Sequence, residues 1–399
     1  MLKCAVLRFN NIPPLVLSLI SINLFGHITL SGGRVVTSLY TLEAGGSEFL
    51  VGCLIGLFGL LPMALSLTMG RWVDRVGPFV PMRAGISAVV VGSALPAMMP
   101  QVATLFATAA LCGLGFTIVT VAAQHTIGHL HQEGTSNRVA LFGWLALGHS
   151  TSGILGPVIV GIAIDLAGYR AAFTVLAVSA AISLALVLKH GSKLRALHID
   201  APHTEQGNLW ALIKKPAVRR VYLVGILVSI AWDLFTFMMP ILGHRQRLSA
   251  SSIGTILAAF AAGTFSVRLV MGRLAHHFTE WQILRAAIAL IVVVYLALPL
   301  TPWPPIFFLL AFTLGAAVGC GQPNVLSLLH AAAPRGRGAE AVGFRSMLGN
   351  ASGVLVPFLF GATAASVGLL PVFWGIAALV AVAVPAAHRA ALSQSAKTR

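Results

Sequence analysis

The sequence predicts an all-α polytopic membrane protein of about twelve spanning helices, and three properties carry that expectation. The chain of 399 residues is 57% hydrophobic and 9% charged, with a mean hydropathy of +0.91, which leaves too little polar surface to wrap a water-soluble core. Its apolar residues gather in runs of about 18 to 25, long enough to cross a ~30 Å hydrocarbon layer as helices. Finally, the basic residues behind the net charge of +16 are sorted between alternate loops.

In chain order the runs lie near 15–40, 48–69, 84–100, 103–127, 140–163, 171–188, 221–242, 251–272, 284–300, 306–330, 345–366 and 371–387. With the N-terminus inside, one set of loops receives Lys3, Arg8, Arg71, Arg75, Arg83, Arg138, the cluster from Lys189 to Arg220, Arg273, Arg285, Arg335, Arg337, Arg345 and the tail. The other set receives only Arg170, Arg245 and Arg247. This is the positive-inside asymmetry. It accounts for the excess charge through the lipid bilayer rather than nucleic acid, and it places both termini in the cytoplasm of an inner-membrane protein. The run after Lys3 and Arg8 continues past the length of a signal peptide and reads as an uncleaved first helix.

Cys4, Cys53, Cys112 and Cys320 are scattered singly, with no disulfide or metal spacing. There is no Walker A loop, H-E-x-x-H or G-x-S-x-G, so neither an ATP-driven pump nor a hydrolase is indicated, and no cofactor or metal is called for.

A shift of about 202 positions lays Gly52 on Gly254, Met69-Gly70-Arg71 on Met271-Gly272-Arg273 and Arg83 on Arg285. At about 200, Gly143, Ser152-Gly153, Pro157 and Gly161 meet Gly343, Ser352-Gly353, Pro357 and Gly361. Six helices have been duplicated, and because six is even the copies are parallel. The expected organisation is a six-helix bundle at 1–188, a cytoplasmic linker at 189–220 and a second bundle at 221–399.

The loop after the second run carries Gly70, Asp74, Arg75 and Gly77 in "MGRWVDRVG". It resembles the G-x-x-x-D-R-x-G signature of the major facilitator superfamily, and the resemblance covers nearly the whole chain. It departs at Pro78 and Phe79, where basic residues are usual, and the second copy keeps only Gly272 and Arg273 before His276 and His277. The resemblance implies two pseudo-symmetric bundles, and a conformational latch formed by Gly70, Asp74, Arg75 and Gly77. Glycine there would allow two helices to approach, and the acid would bond an arginine or a helix N-terminus. "GHSTSGILGPVIVG" resembles the family's antiporter motif through Gly153, Gly156, Pro157 and Gly161, with Val160 where a glycine is usual. Exporters carry that motif more often, although small residues also serve ordinary helix packing. The arginine common before the Gly-x-Gly of the fourth helix is replaced by Ala109.

Of ten acidic residues, Asp233 alone lies deep in a span. A carboxylate there costs about 2.5 to 3.5 kcal/mol even on permissive insertion scales, so it is expected to face a cavity or a partner. Asn23, His27, Ser31, Arg34 and Ser38 share an arc of roughly 80° on the first helix, and Ser229, Asp233 and Thr236 repeat the stripe on the seventh. Arg34 is the expected partner of Asp233, since both lie about 9 to 14 Å from the outer helix ends, whereas Arg268 lies about 26 Å from its own. Arg268 is then either a cavity cation attractive to an anionic solute or a residue that snorkels to the headgroups. Gln124, His125, Gln322 and Asn324 are candidate solute ligands, with bridging between helices as the other reading; His149 and Asn350 share that ambiguity.

The expectation is a monomeric secondary transporter that moves a small-molecule solute by alternating access, exporting it by proton antiport through Asp233. Proton-coupled uptake of an organic anion is the alternative, and a non-transporting membrane sensor is a rival of another class.

Overall fold

In a computed structural model, the described residues are 14–130, 138–195, 215–301, 304–332, 338–385 and 387–388. They form α1 (Pro14–Glu43), α2 (Glu48–Val76), α3 (Phe79–Met98), α4 (Val102–Leu130), α5 (Arg138–Lys189) and the short α6 (Gly191–Arg195). There follow α7 (Pro216–Arg245), α8 (Ala250–His277), α9 (Glu280–Ala297), a 3-10 turn (Leu298–Leu300), α10 (Pro304–Ala332), α11 (Gly338–Val367) and α12 (Leu369–Ala381). No strand occurs among the described residues. Lys3, Cys4, Arg8, Arg335, Arg337, the tail and most of the expected linker lie outside them.

Ten of these helices are long and apolar enough to cross a membrane, and α12 falls in a shorter apolar stretch, Leu369–Pro385. The fifth and sixth expected spans appear as one run, α5, broken at Gly168 (φ 77°, ψ 178°). Dividing α5 there and adding α12 gives twelve segments. Gly368, 200 positions later, holds φ 87° and ψ 177° between α11 and α12. Only glycine adopts such a backbone without steric cost, so the duplication is written into the dihedral angles as well as the sequence. α9 opens with a capping box in which Thr279 and Gln282 each bond the other's backbone N–H.

The chain divides into two compact units. Among the described residues, unit 1 holds positions up to Val36 and from Leu60 to the end of α6; unit 2 holds Thr37–Gly59 and everything from α7 onward. In unit 1, α1 crosses α5 so closely that a Cβ on Gly156 would meet Ser31 Oγ and the backbone at Ile28 and Gly32. In unit 2 the first half of α2 packs on α11, where a Cβ on Gly52 would meet the Pro357 carbonyl, and Glu48 pairs with Arg245 of α7 at 2.5 Å. Without competing apolar solvent contacts to gain, helices in lipid associate by such close backbone approach.

Candidate functional site

Unit 2 contains a cavity of about 310 Å³ walled by α7, α8, α10 and α11. Asp233 of α7 lines it together with Arg268 of α8, Gln322 of α10, and Arg345 and Asn350 of α11. Three charged groups of both signs therefore share a space at the small end of the range for ligand pockets. Asp233 is half-buried and its Oδ2 accepts a hydrogen bond from Ser352 Oγ at 2.5 Å; Ser352 Oγ also reaches the Gly349 carbonyl at 2.8 Å. The backbone here is held by Tyr295 of α9, whose buried hydroxyl donates to the Ala231 carbonyl. Arg268 Nη2 lies 3.5 Å from Gln322 Oε1. Of the two readings open for Arg268, the structure places it on the cavity wall.

Arg345 was expected among the cytoplasmic loop charges. Instead it belongs to α11, with Gly349 and Ser352 following at spacings of four and three on the same helix face. Its Nε is buried without a hydrogen-bond partner among the described residues. That spacing was the available signal, since a loop charge has no reason to keep step with a serine one and two turns on.

Unit 1 gathers a different set. His27 Nδ1 lies 2.7 Å from Ser152 Oγ, and the His27 ring sits 5.1 Å from that of His149 and 5.3 Å from Phe116. Asn23 is fully buried; its Nδ2 donates to the Leu19 carbonyl at 2.9 Å, and its Oδ1 accepts from Thr120 of α4 at 3.3 Å. This is a helix bridge. Asn324 similarly donates to the Cys320 carbonyl of its own helix at 2.7 Å. Gln124 is exposed, and Arg34 is half-buried on α1.

At the end of α2, Asp74 Oδ1 lies 2.8 Å from Nε2 of His125 on α4. Two residues read separately from the sequence, one as latch and one as solute ligand, thus meet. Gly77 closes α2 at φ 74°, its N–H returning to the Val73 carbonyl at 2.9 Å, which explains glycine at that point. Gly70 does not mark a close helix approach here, because a Cβ on it would meet nothing within 4 Å. Arg75 is exposed. Of the antiporter-like positions Gly153, Gly156, Pro157 and Gly161, Gly156 is the one at which the α1–α5 crossing described above requires glycine.

A family model described as Major Facilitator Superfamily matches residues 19–305 and 221–393. The chain is 28% identical over 343 residues to a chloramphenicol resistance protein of Streptomyces lividans, covering 85% of this chain and 84% of that one. It is 27% identical over 271 residues to solute carrier family 22 member 18 of Mus musculus, covering 62% and 64%. Among solved structures, a mutant peptide transporter POT in complex with sulfate aligns at TM-score 0.79 with 16% identity over 96% of each chain. A mutant nucleoside transporter aligns at 0.78 with 14% identity over 94% of this chain and 99% of that one. At such identities the structural matches speak for the all-α transporter fold.

Proposed function

The chain belongs to the Major Facilitator Superfamily, and from that premise we propose a carrier that exports a small organic solute in exchange for protons, with Asp233 carrying the proton. A multi-pass membrane transporter with a small-molecule solute, rather than an enzyme, already follows from family and fold.

One observation carries the choice of Asp233: Ser352 Oγ sits between Asp233 Oδ2 and the Gly349 carbonyl, at 2.5 and 2.8 Å. A hydroxyl offers one proton and two lone pairs. With Asp233 ionised, Ser352 donates to the carboxylate. With Asp233 protonated, the carboxyl donates to Ser352, whose own proton turns to Gly349. Both states are satisfied without moving a helix, so neither leaves a desolvated polar group unpaired. Solute binding that favours the ionised form then releases the proton on one side, and return of the empty carrier with a proton completes antiport.

Export is supported by the name of the Streptomyces relative and by Gly156-Pro157 in the antiporter-like stretch. The loop charges favour a cytoplasmic-membrane protein with both termini inside, and we take the monomer as the working unit. The test is solute flux in proteoliposomes of the pure protein: Asp233→Asn is expected to retain exchange of solute at equilibrium and to lose accumulation driven by a pH gradient. Full uphill transport by Asp233→Asn would remove the proposal.

The second reading, uptake of an organic anion together with protons, is favoured by Arg268 and Arg345 on the same cavity wall. The two differ in the sign of linkage. A solute that expels the proton from Asp233 is exchanged for it, whereas a solute that recruits the proton travels with it.

A further inference from the structure

We infer that the unit 2 cavity is built for a zwitterionic solute, its anionic group seated on Arg268 and Arg345 and its cationic group on Asp233; the inference rests on the antiport reading above and names the solute class for it.

The argument begins with what the other solutes would leave behind. A space of about 310 Å³ holds about ten waters at their bulk volume, and a sphere of that volume is about 8 Å across. Charges confined to that scale away from bulk water interact strongly. A neutral or purely cationic solute that displaces this water leaves two guanidiniums without a counter-charge, a costly arrangement for desolvated ions. A bare anion, conversely, meets the Asp233 carboxylate in the same space and is held well only after Asp233 takes up a proton. That is the linkage of symport. A solute with both signs neutralises all three groups, and its ammonium competes with the proton for Asp233, which is the linkage antiport requires.

The two arginines have the features of ligand-binding groups. Guanidinium presents a rigid fork that matches a carboxylate or phosphate in two parallel bonds. Gln322 Oε1 lies 3.5 Å from Arg268 Nη2 and helps hold its fork, while Arg345 Nε is buried with a proton and no acceptor among the described residues. Neither cation is required by the duplicated scaffold, because the offsets of about 202 and 200 place Ser66 and Leu145 at the corresponding positions of unit 1. They belong to the second copy's chemistry.

Equilibrium binding to the pure full-length protein in nanodiscs tests this with three probes of one skeleton: 5-aminopentanoate, pentanoate and pentylamine. The zwitterion is expected to bind at least tenfold more tightly than either singly charged analogue and to release protons into a weakly buffered medium. Arg268→Gln and Arg345→Gln should each reduce its advantage over pentylamine toward unity while leaving pentylamine binding unchanged, and Asp233→Asn should abolish its advantage over pentanoate. If Arg345→Gln fails to fold, Arg345→Lys, which keeps the charge and loses the fork, should show an intermediate loss. Pentylamine binding as tightly as the zwitterion and still expelling protons would overturn the zwitterion and leave antiport standing. Pentanoate binding as tightly with proton uptake would overturn both in favour of anion symport. Absence of saturable binding by 5-aminopentanoate also overturns the inference, while uphill transport by Asp233→Asn separately decides the antiport reading.

Discussion

Ser152 in unit 1 and Ser352 in unit 2 stand 200 positions apart, both buried, and each hydroxyl meets an ionisable side chain on the first full helix of its own unit. In unit 1 that partner is His27 at 2.7 Å; in unit 2 it is Asp233 at 2.5 Å. Ser152 also has the carbonyls of Gly148 and His149 at 3.0 and 2.9 Å, so its proton goes to a carbonyl and His27 Nδ1–H donates to it. An imidazole can satisfy this arrangement while neutral. Asp233 instead sits among arginines. Duplication preserved the serine because a small donor is needed where helices cross closely, and only the second copy gained a charge pattern able to bind solute and proton together.

Three substitutions sharpen this contrast, in falling order of effect. Ser352→Ala removes a hydrogen bond to a charged acceptor and is expected to cost about 2 kcal/mol of stability, with pH-driven transport largely lost; thermal unfolding in detergent and proteoliposome flux measure the two. Ser152→Ala should cost about 1 kcal/mol, the ordinary amount for a neutral pair, and leave pH-driven transport near the parent level. Equal damage to transport from both would mean the serines serve packing alone and the chemical contrast is empty. The smallest effect is expected of Asp74→Asn in unit 1. Asp74 and His125 are 35% and 17% exposed, so stability should change by less than about 1 kcal/mol. If the pair acts as a latch, labelling of cysteines placed in the inner and outer cavities should shift toward the inward-open pattern; unchanged labelling would remove the latch role.

Hydropathy made the helices legible because each run needed only enough apolar length to cross the bilayer, and the repeat followed from glycines and prolines that packing holds in place. The break at Gly168 was visible as a gap between runs, although its backbone continues as helix on both sides. Arg345 was misplaced for a physical reason: a charge in the first turns of a spanning helix has the same sequence appearance whether it reaches back to the headgroups or turns into a cavity. Asp233 stood out because nothing else acidic was so deep, while the Asp74–His125 contact joins residues 51 positions apart on α2 and α4 and no local pattern announces it. Asn23 was read as a solute ligand from its helix face, but a polar face on a helix in a bundle serves a neighbouring helix as readily as a cavity, and Thr120 is that neighbour.

The position of the Ser352 hydroxyl between Asp233 Oδ2 and the Gly349 carbonyl also sets a timescale. Its two bonding patterns differ by rotation about one Cβ–Oγ bond, and side-chain reorientations of that kind take picoseconds to nanoseconds, whereas collective movements of helices take microseconds to milliseconds. On the proposed coupling, proton capture equilibrates many times within each excursion of the carrier. Turnover is then paced by the helices, and replacing water with heavy water should leave the maximal transport rate nearly unchanged.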